Sequence, residues 1–219
     1  MAKQPSAPVF TLTPAPVSFA SHDNSEELAR AELYGLLAQL WLAPPDADLL
    51  QQFAVAVTQA PEAGALLEAP WSQLVAALRA TTAAAAAAEH AALFQGVGRP
   101  EVFVYGSFYL AGVLNEKPLA VLRSDLMQLG LTRDADSGET EDHVAYVLEV
   151  MRYLIAGDDM AVCNLEQQRR FFRAHLQPWV DDLCQAVESH PAAATWRAVA
   201  AFTRSFMEVE TQAFDMLEA

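Results

Sequence analysis

Cysteine is scarce in this chain: Cys163 and Cys184 are the two in 219 residues, and they form no Cys-x-x-Cys pair. That excludes a disulfide framework and a cysteine-built zinc site, and it fits a reducing cytoplasm. Long apolar runs are missing as well. The alanine-rich stretch from Thr81 to Leu93 is too short to cross a bilayer and is interrupted by Glu89 and His90, so it reads as a helix of high intrinsic propensity, with no stable membrane insertion. Lys3 is followed by small residues and by Pro5, Pro8, Pro14 and Pro16 instead of a compact apolar core. Residues 1–24 are therefore expected to be a flexible arm and not a signal peptide. Basic charge is sparse: 13 Lys and Arg face 28 Asp and Glu, for a net charge of −15. Sequence-independent nucleic-acid binding needs clustered cations and is excluded, whereas a cationic peptide would be drawn to such a surface. Acidity for solubility alone is the plainer reading of the same charge. No Gly-x-x-x-x-Gly-Lys loop and no Glu-x-x-His spacing occurs, which removes a P-loop nucleotide site and a carboxylate-bridged di-metal bundle.

What is present is apolar and helical. At 53% hydrophobic and 19% charged, the chain has the composition of one sizeable globular domain. Leu33, Leu36, Leu37, Leu40 and Trp41 make the apolar face of a first helix capped at Asn24, with Glu27 three residues on and Pro44-Pro45 as its stop. Further helices are expected over 47–59, from about Pro70, through the alanine-rich stretch to Phe94, over 107–115, and from Pro118 through Leu129. Three more follow: Thr140 to Ala156, Met160 to His190 with a kink at Pro178, and Ala192 to Met216. Nothing alternates with a strand period. The fold class is all-α: a helical domain over 25–219 with one core and two lobes, about 25–95 and 105–219, divided by a linker loop at about 96–104.

The densest polar segment is Gly138-Glu139-Thr140-Glu141-Asp142-His143, three carboxylates and an imidazole at the mouth of a helix whose stripe is Val144, Val147, Leu148, Met151, Leu154 and Ile155. Thr140 as N-cap with Glu141 and Asp142 in the first turn is the capping reading; a binding site is the other. A mononuclear metal site, or more broadly a metal- or nucleotide-dependent enzyme, built on Glu139, Asp142 and His143 is the alternative. Arg123 has Glu116 and Asp125 as nearby surface partners. His175 and Trp179, four apart around Pro178, read as a staple that fastens a kinked helix to its neighbour.

Further motifs accompany the acidic one: Leu93-Phe94-Gln95-Gly96-Val97-Gly98-Arg99-Pro100, Val104-Tyr105-Gly106-Ser107-Phe108-Tyr109, Leu122-Arg123, Leu129-Gly130-Leu131 and His175-Leu176-Gln177-Pro178-Trp179. In this order the chain resembles the TorD/DmsD/NarJ family of molybdoenzyme maturation chaperones over about residues 25 to 215. The resemblance implies an all-helical fold of the TorD type, no catalytic turnover, no cofactor of its own and a cytoplasmic location. It implies as partner the catalytic subunit of a molybdenum or tungsten oxidoreductase with its twin-arginine signal peptide, assisted in cofactor insertion and kept from premature export. Carried over, the peptide-binding positions are Tyr105, Gly106, Ser107 and Tyr109 in one motif and Glu139, Glu141, Asp142 and His143 in the other. Carboxylates would accept hydrogen bonds from the peptide's guanidinium groups, Tyr105, Phe108 and Tyr109 would pack its apolar side chains or stack on guanidinium planes, and the charge of His143 would respond to a bound cation near neutral pH. Tyr109 and Phe108 read equally as core aromatics. Val104 and Thr140 stand where many relatives carry proline, which loosens the backbone at both motifs. Monomer and dimer both fit the sequence.

Overall fold

A computed structural model describes residues 9–10, 26–55, 66–96, 98–134 and 137–217. Among them ten helices alternate with short connections: α1 (Glu26–Leu42), α2 (Ala47–Val55), α3 (Glu68–Ala80), α4 (Ala83–Phe94), α5 (Gly106–Ala111), α6 (Lys117–Gln128), α7 (Val144–Ala156), α8 (Leu165–His175), α9 (Val180–Ser189) and α10 (Thr195–Met216). Two two-residue strands, β1 (Val9–Phe10) and β2 (Thr132–Arg133), pair in parallel. The fold is all-α, as the apolar spacing predicts.

Local chemistry sets the helix ends. Thr81 and Thr82 are extended and separate α3 from α4, and the Thr82 hydroxyl accepts from the Ala85 N–H at 3.2 Å to start the new helix. Gly130, at φ +74°, stops α6, and the Leu131 N–H returns to the Leu126 carbonyl at 2.8 Å. The expected cap at Asn24 lies outside the described residues, as does the stretch from 56 to 59 assigned to the second helix. Two expectations are corrected. The segment read as one kinked helix from Met160 to His190 is two helices, α8 and α9, separated by turns at Leu176–Trp179. The helix read from Thr140 begins only at Val144, and its N-cap is His143.

α1 lies along α7, while α10 packs on α9, α3 and α4, so helices from both halves of the sequence share one buried cluster. Its largest fully buried side chains include Trp41, Trp196, Tyr34, Phe172 and Phe202. The most deeply buried carboxylate among the described residues bridges two of these helices. Glu210 on α10 accepts from Arg30 Nε at 2.7 and 2.9 Å, from Arg30 Nη2 at 2.8 Å and from the Tyr34 hydroxyl at 2.8 Å. This arrangement satisfies the carboxylate and ties α10 to α1. Glu89 on α4 caps α10 from outside, its carboxylate accepting from the N–H groups of Ala194, Thr195 and Trp196 at 2.8, 3.0 and 2.9 Å.

Candidate functional site

The loop between α4 and α5 and the loop before α7 are far apart in sequence but joined edge to edge. The Val144 N–H donates to the Val104 carbonyl at 2.8 Å, the Gly106 N–H donates to the Asp142 carbonyl at 2.9 Å, and Tyr105 and His143 form an antiparallel bridge between them. Asp142, 4% exposed, completes the clasp. One carboxylate oxygen accepts from the Ser107 N–H at 2.9 Å and the other from the Thr140 hydroxyl at 2.6 Å. A single Asp thus satisfies the first turn of α5 and its own loop together.

His143 is 5% exposed and caps α7 through Nδ1, which accepts from the Ala145 N–H at 3.1 Å. That acceptor role places the proton on Nε2. Burial pushes its pKa down to about 4 against the opposing pull of Glu139 and Asp142. The expectation that its charge responds near neutral pH is therefore corrected: the ring is neutral there. It packs edge-on to Tyr105 at a centroid distance of 5.3 Å.

Tyr105, Glu139 and Glu141 are partly exposed. Tyr105 is half-buried and donates its hydroxyl to the Glu139 carboxylate, and burial together with that bond raises its pKa. Glu141 accepts from Arg123 Nε and Nη2 at 3.0 and 2.8 Å, with Arg133 Nε 3.6 Å away. Burial alone would raise the Glu141 pKa, but the Arg123 hydrogen bonds, its own backbone N–H and the two guanidinium charges outweigh it and lower the group. Glu141, and neither Glu116 nor Asp125, is the carboxylate that Arg123 holds.

Behind the clasp stands Trp179, 2% exposed, a residue that its spacing to His175 marked only as a helix staple. A Cβ added to Gly106 would come within 3.0 Å of its ring, so glycine here permits close approach. Trp179 Nε1 donates to the His175 carbonyl at 2.6 Å, and the His175 ring lies 2.7 Å from Asp125. Tyr109 stacks on Trp179 at 5.8 Å and donates its hydroxyl to the Phe103 carbonyl at 2.8 Å. Ser107 is buried, and its hydroxyl accepts from the Asn115 N–H at 3.3 Å. Past this wall the chain turns apolar and exposed at Leu110, Val113 and Leu114, and Val121 and Met127 are exposed on α6, which packs on α5.

The eight sequence-predicted residues therefore fall into one constellation. Gly106, Ser107, Asp142 and His143 are buried, whereas Tyr105, Tyr109, Glu139 and Glu141 are partly exposed. Among the described residues no group of three or more His, Cys, Asp or Glu side chains is placed to hold a metal ion, and no helix is long and apolar enough to cross a membrane. Separate from the clasp, a cleft of about 330 Å³ opens between α9 and α10, lined by Gln177, Asp181, Arg204, Glu208 and neighbours.

Comparison with known proteins covers the same region. Two Vibrio cholerae proteins, each described as Chaperone protein TorD and coming from O1 strains O395 and M66-2, are 26% identical to this chain over 138 residues, 60% of its length. The alignment spans 63% of each relative, less than two thirds. The profile of the nitrate reductase delta subunit family matches residues 60–185, which include both halves of the clasp, α6 and Trp179. That match extends over more than half of the sequence, and this chain belongs to the nitrate reductase delta subunit family, the family of TorD and NarJ.

Proposed function

We propose that this protein is a cytoplasmic maturation chaperone with no catalytic turnover. Its client is the apo catalytic subunit of a molybdenum or tungsten oxidoreductase, bound through the twin-arginine signal peptide until the pterin cofactor is inserted and export is timely. The observation that carries the reading is the clasp itself: two motifs 35 residues apart, Ser107 with Asp142, are locked by a buried carboxylate. They present acidic and aromatic groups beside exposed apolar ones. In this reading Tyr105, Tyr109, Glu139 and Glu141 face the peptide. Gly106, Ser107, Asp142 and His143 hold the surface in shape from behind. Glu139 and Glu141 suit the arginines, and Leu110, Val113 and Leu114, exposed at the end of α5 and just after it, suit the apolar stretch that follows them in a signal peptide. The kinship with a protein described as Chaperone protein TorD supports the class of partner.

The test is affinity capture from the host's own cytoplasm with the full chain and with a Leu110→Glu/Leu114→Glu variant, followed by mass spectrometry. Both substituted positions are exposed, so the variant keeps its fold. Recovery of one molybdenum or tungsten oxidoreductase catalytic subunit by the native chain and its loss from the variant is expected. Recovery of no such subunit, or equal recovery by both, overturns the reading.

A further inference from the structure

Two of the three clasp carboxylates have partners within the two motifs: buried Asp142 the Ser107 N–H and the Thr140 hydroxyl, partly exposed Glu139 the Tyr105 hydroxyl. Glu141 is held differently. Its side chain is 13% exposed, and its partners are guanidinium groups that reach in from outside. Arg123, with a side chain 48% exposed, reaches from α6 and puts Nε and Nη2 on one carboxylate oxygen at 3.0 and 2.8 Å. Arg133, the last residue of β2, lies 3.6 Å from the other oxygen, at ion-pair distance. Its Nη1 is occupied by the Ser137 and Glu139 carbonyls at 2.5 and 3.2 Å. Among the described residues Arg123 shows no such anchor, and its hydrogen bonds go to Glu141.

An exposed guanidinium holding a sheltered carboxylate is the same pairing that a client arginine would make. From this, and resting on the peptide-binding reading above, we infer that Arg123 is an exchangeable stand-in for a client arginine. It occupies Glu141 in the free protein and gives way to the arginine of a bound peptide. Exchange conserves the carboxylate's hydrogen bonds, because one guanidinium replaces another. The released Arg123, already 48% exposed, is solvated by water, so no unpaired charge is left buried. Arg123 therefore sets a threshold: a peptide without arginine cannot displace it, and a peptide with arginine binds more weakly by the worth of the pair that it breaks. For an ion pair with one exposed partner that threshold is about two- to fivefold in affinity.

Fluorescence anisotropy with a labelled synthetic peptide, an arginine pair followed by an apolar stretch, tests this beside the same peptide with both arginines replaced by glutamine. The full chain is compared with Arg123→Gln, Glu141→Gln, the double variant and Arg197→Gln, the last removing a positive charge far from Glu141 in sequence. Melting curves verify that each is folded. Arg123→Gln is expected to tighten the arginine peptide about two- to fivefold, beyond any effect of Arg197→Gln, and Glu141→Gln to weaken it. In the Glu141→Gln background, Arg123→Gln changes affinity no more than Arg197→Gln does. An unchanged or weakened arginine peptide with Arg123→Gln overturns the inference, as does equal tightening of the glutamine peptide. If the native chain binds the arginine peptide and Arg123→Gln fails to tighten it, the inference falls and the chaperone reading stands. Failure of every protein to bind either peptide sinks both.

Discussion

Replacing Asp142 with alanine separates the buried half of the clasp from its outer half. The substitution leaves the Ser107 N–H without its acceptor in a site where both residues are almost fully enclosed. A buried donor stranded in this way costs about 1–3 kcal/mol. The Thr140 hydroxyl, partly exposed, loses a charge-assisted bond but can turn to water and adds about 1 kcal/mol. The sum is about 2–4 kcal/mol. For a domain of this length each kcal/mol moves the melting temperature by about 2–4 °C, so Asp142→Ala is expected to melt about 4–16 °C below the native protein. Asp142→Asn keeps an oxygen for the Ser107 N–H, and the Thr140 hydroxyl can reverse to accept from the new amide, so its loss is smaller. Glu141→Ala removes a pair with one exposed partner and should cost less than about 1 kcal/mol. The assay is thermal unfolding by calorimetry, with denaturant midpoints at unchanged slope as a check. A melting temperature for Asp142→Ala within 2 °C of native, or a larger loss for Glu141→Ala than for Asp142→Ala, would refute the assignment of Asp142 to the framework.

Acid should weaken the fold through His143, whose folded pKa is about 4 against an ordinary value near 6.5. The unfolded chain then binds more protons between those values, so stability is full above about pH 6.5 and falls as the pH drops toward 4, by up to about 1.4 kcal/mol per pH unit. Burial also lowers His90 and His175, so denaturant midpoints for His143→Gln should show a shallower acid slope, not a flat one. An unaltered slope would rule His143 out as a source. Gly106→Ala should destabilise by about 1–3 kcal/mol, because the new methyl meets the Trp179 ring at about 3.0 Å. In a double-mutant cycle Trp179→Phe should reduce that added cost, and full additivity would contradict the contact. Glu210→Ala leaves the buried Tyr34 hydroxyl without its acceptor and Arg30 with Glu27 and Gln168 alone, and should cost about 2–4 kcal/mol in chemical denaturation, whereas a loss below 1 kcal/mol would show that water replaces the carboxylate.

The elements legible in the sequence are those whose cause is local. The stripe from Val144 to Leu154 fixes α7 and its buried face, and Pro44-Pro45 follows the end of α1, because apolar periodicity and proline act within a few residues. The start of α7 was not legible. Thr140 has the better capping chemistry, but the chain at His143 is held extended by its pairing with Tyr105 and Val104, a contact formed only once the two loops meet. The division of α8 from α9 is tertiary in the same way, with Trp179 turned inward against Gly106 and Tyr109. Arg123 illustrates the limit for charge. Its near neighbours in sequence were Glu116 and Asp125, but Asp125 is turned toward His175 and Arg170, and the guanidinium finds Glu141, 18 residues on. Residue types and their order located both motifs; which of the eight side chains point inward depends on the clasp.

Hydrogen–deuterium exchange of the full chain, alone and saturated with a twin-arginine signal peptide, is the most direct measurement of peptide binding at the clasp. New protection concentrated in residues 104–114 and 137–146 is the expected result. Protection confined to the cleft between α9 and α10 lined by Gln177, Asp181, Arg204 and Glu208, or none anywhere, would contradict a peptide site at the clasp.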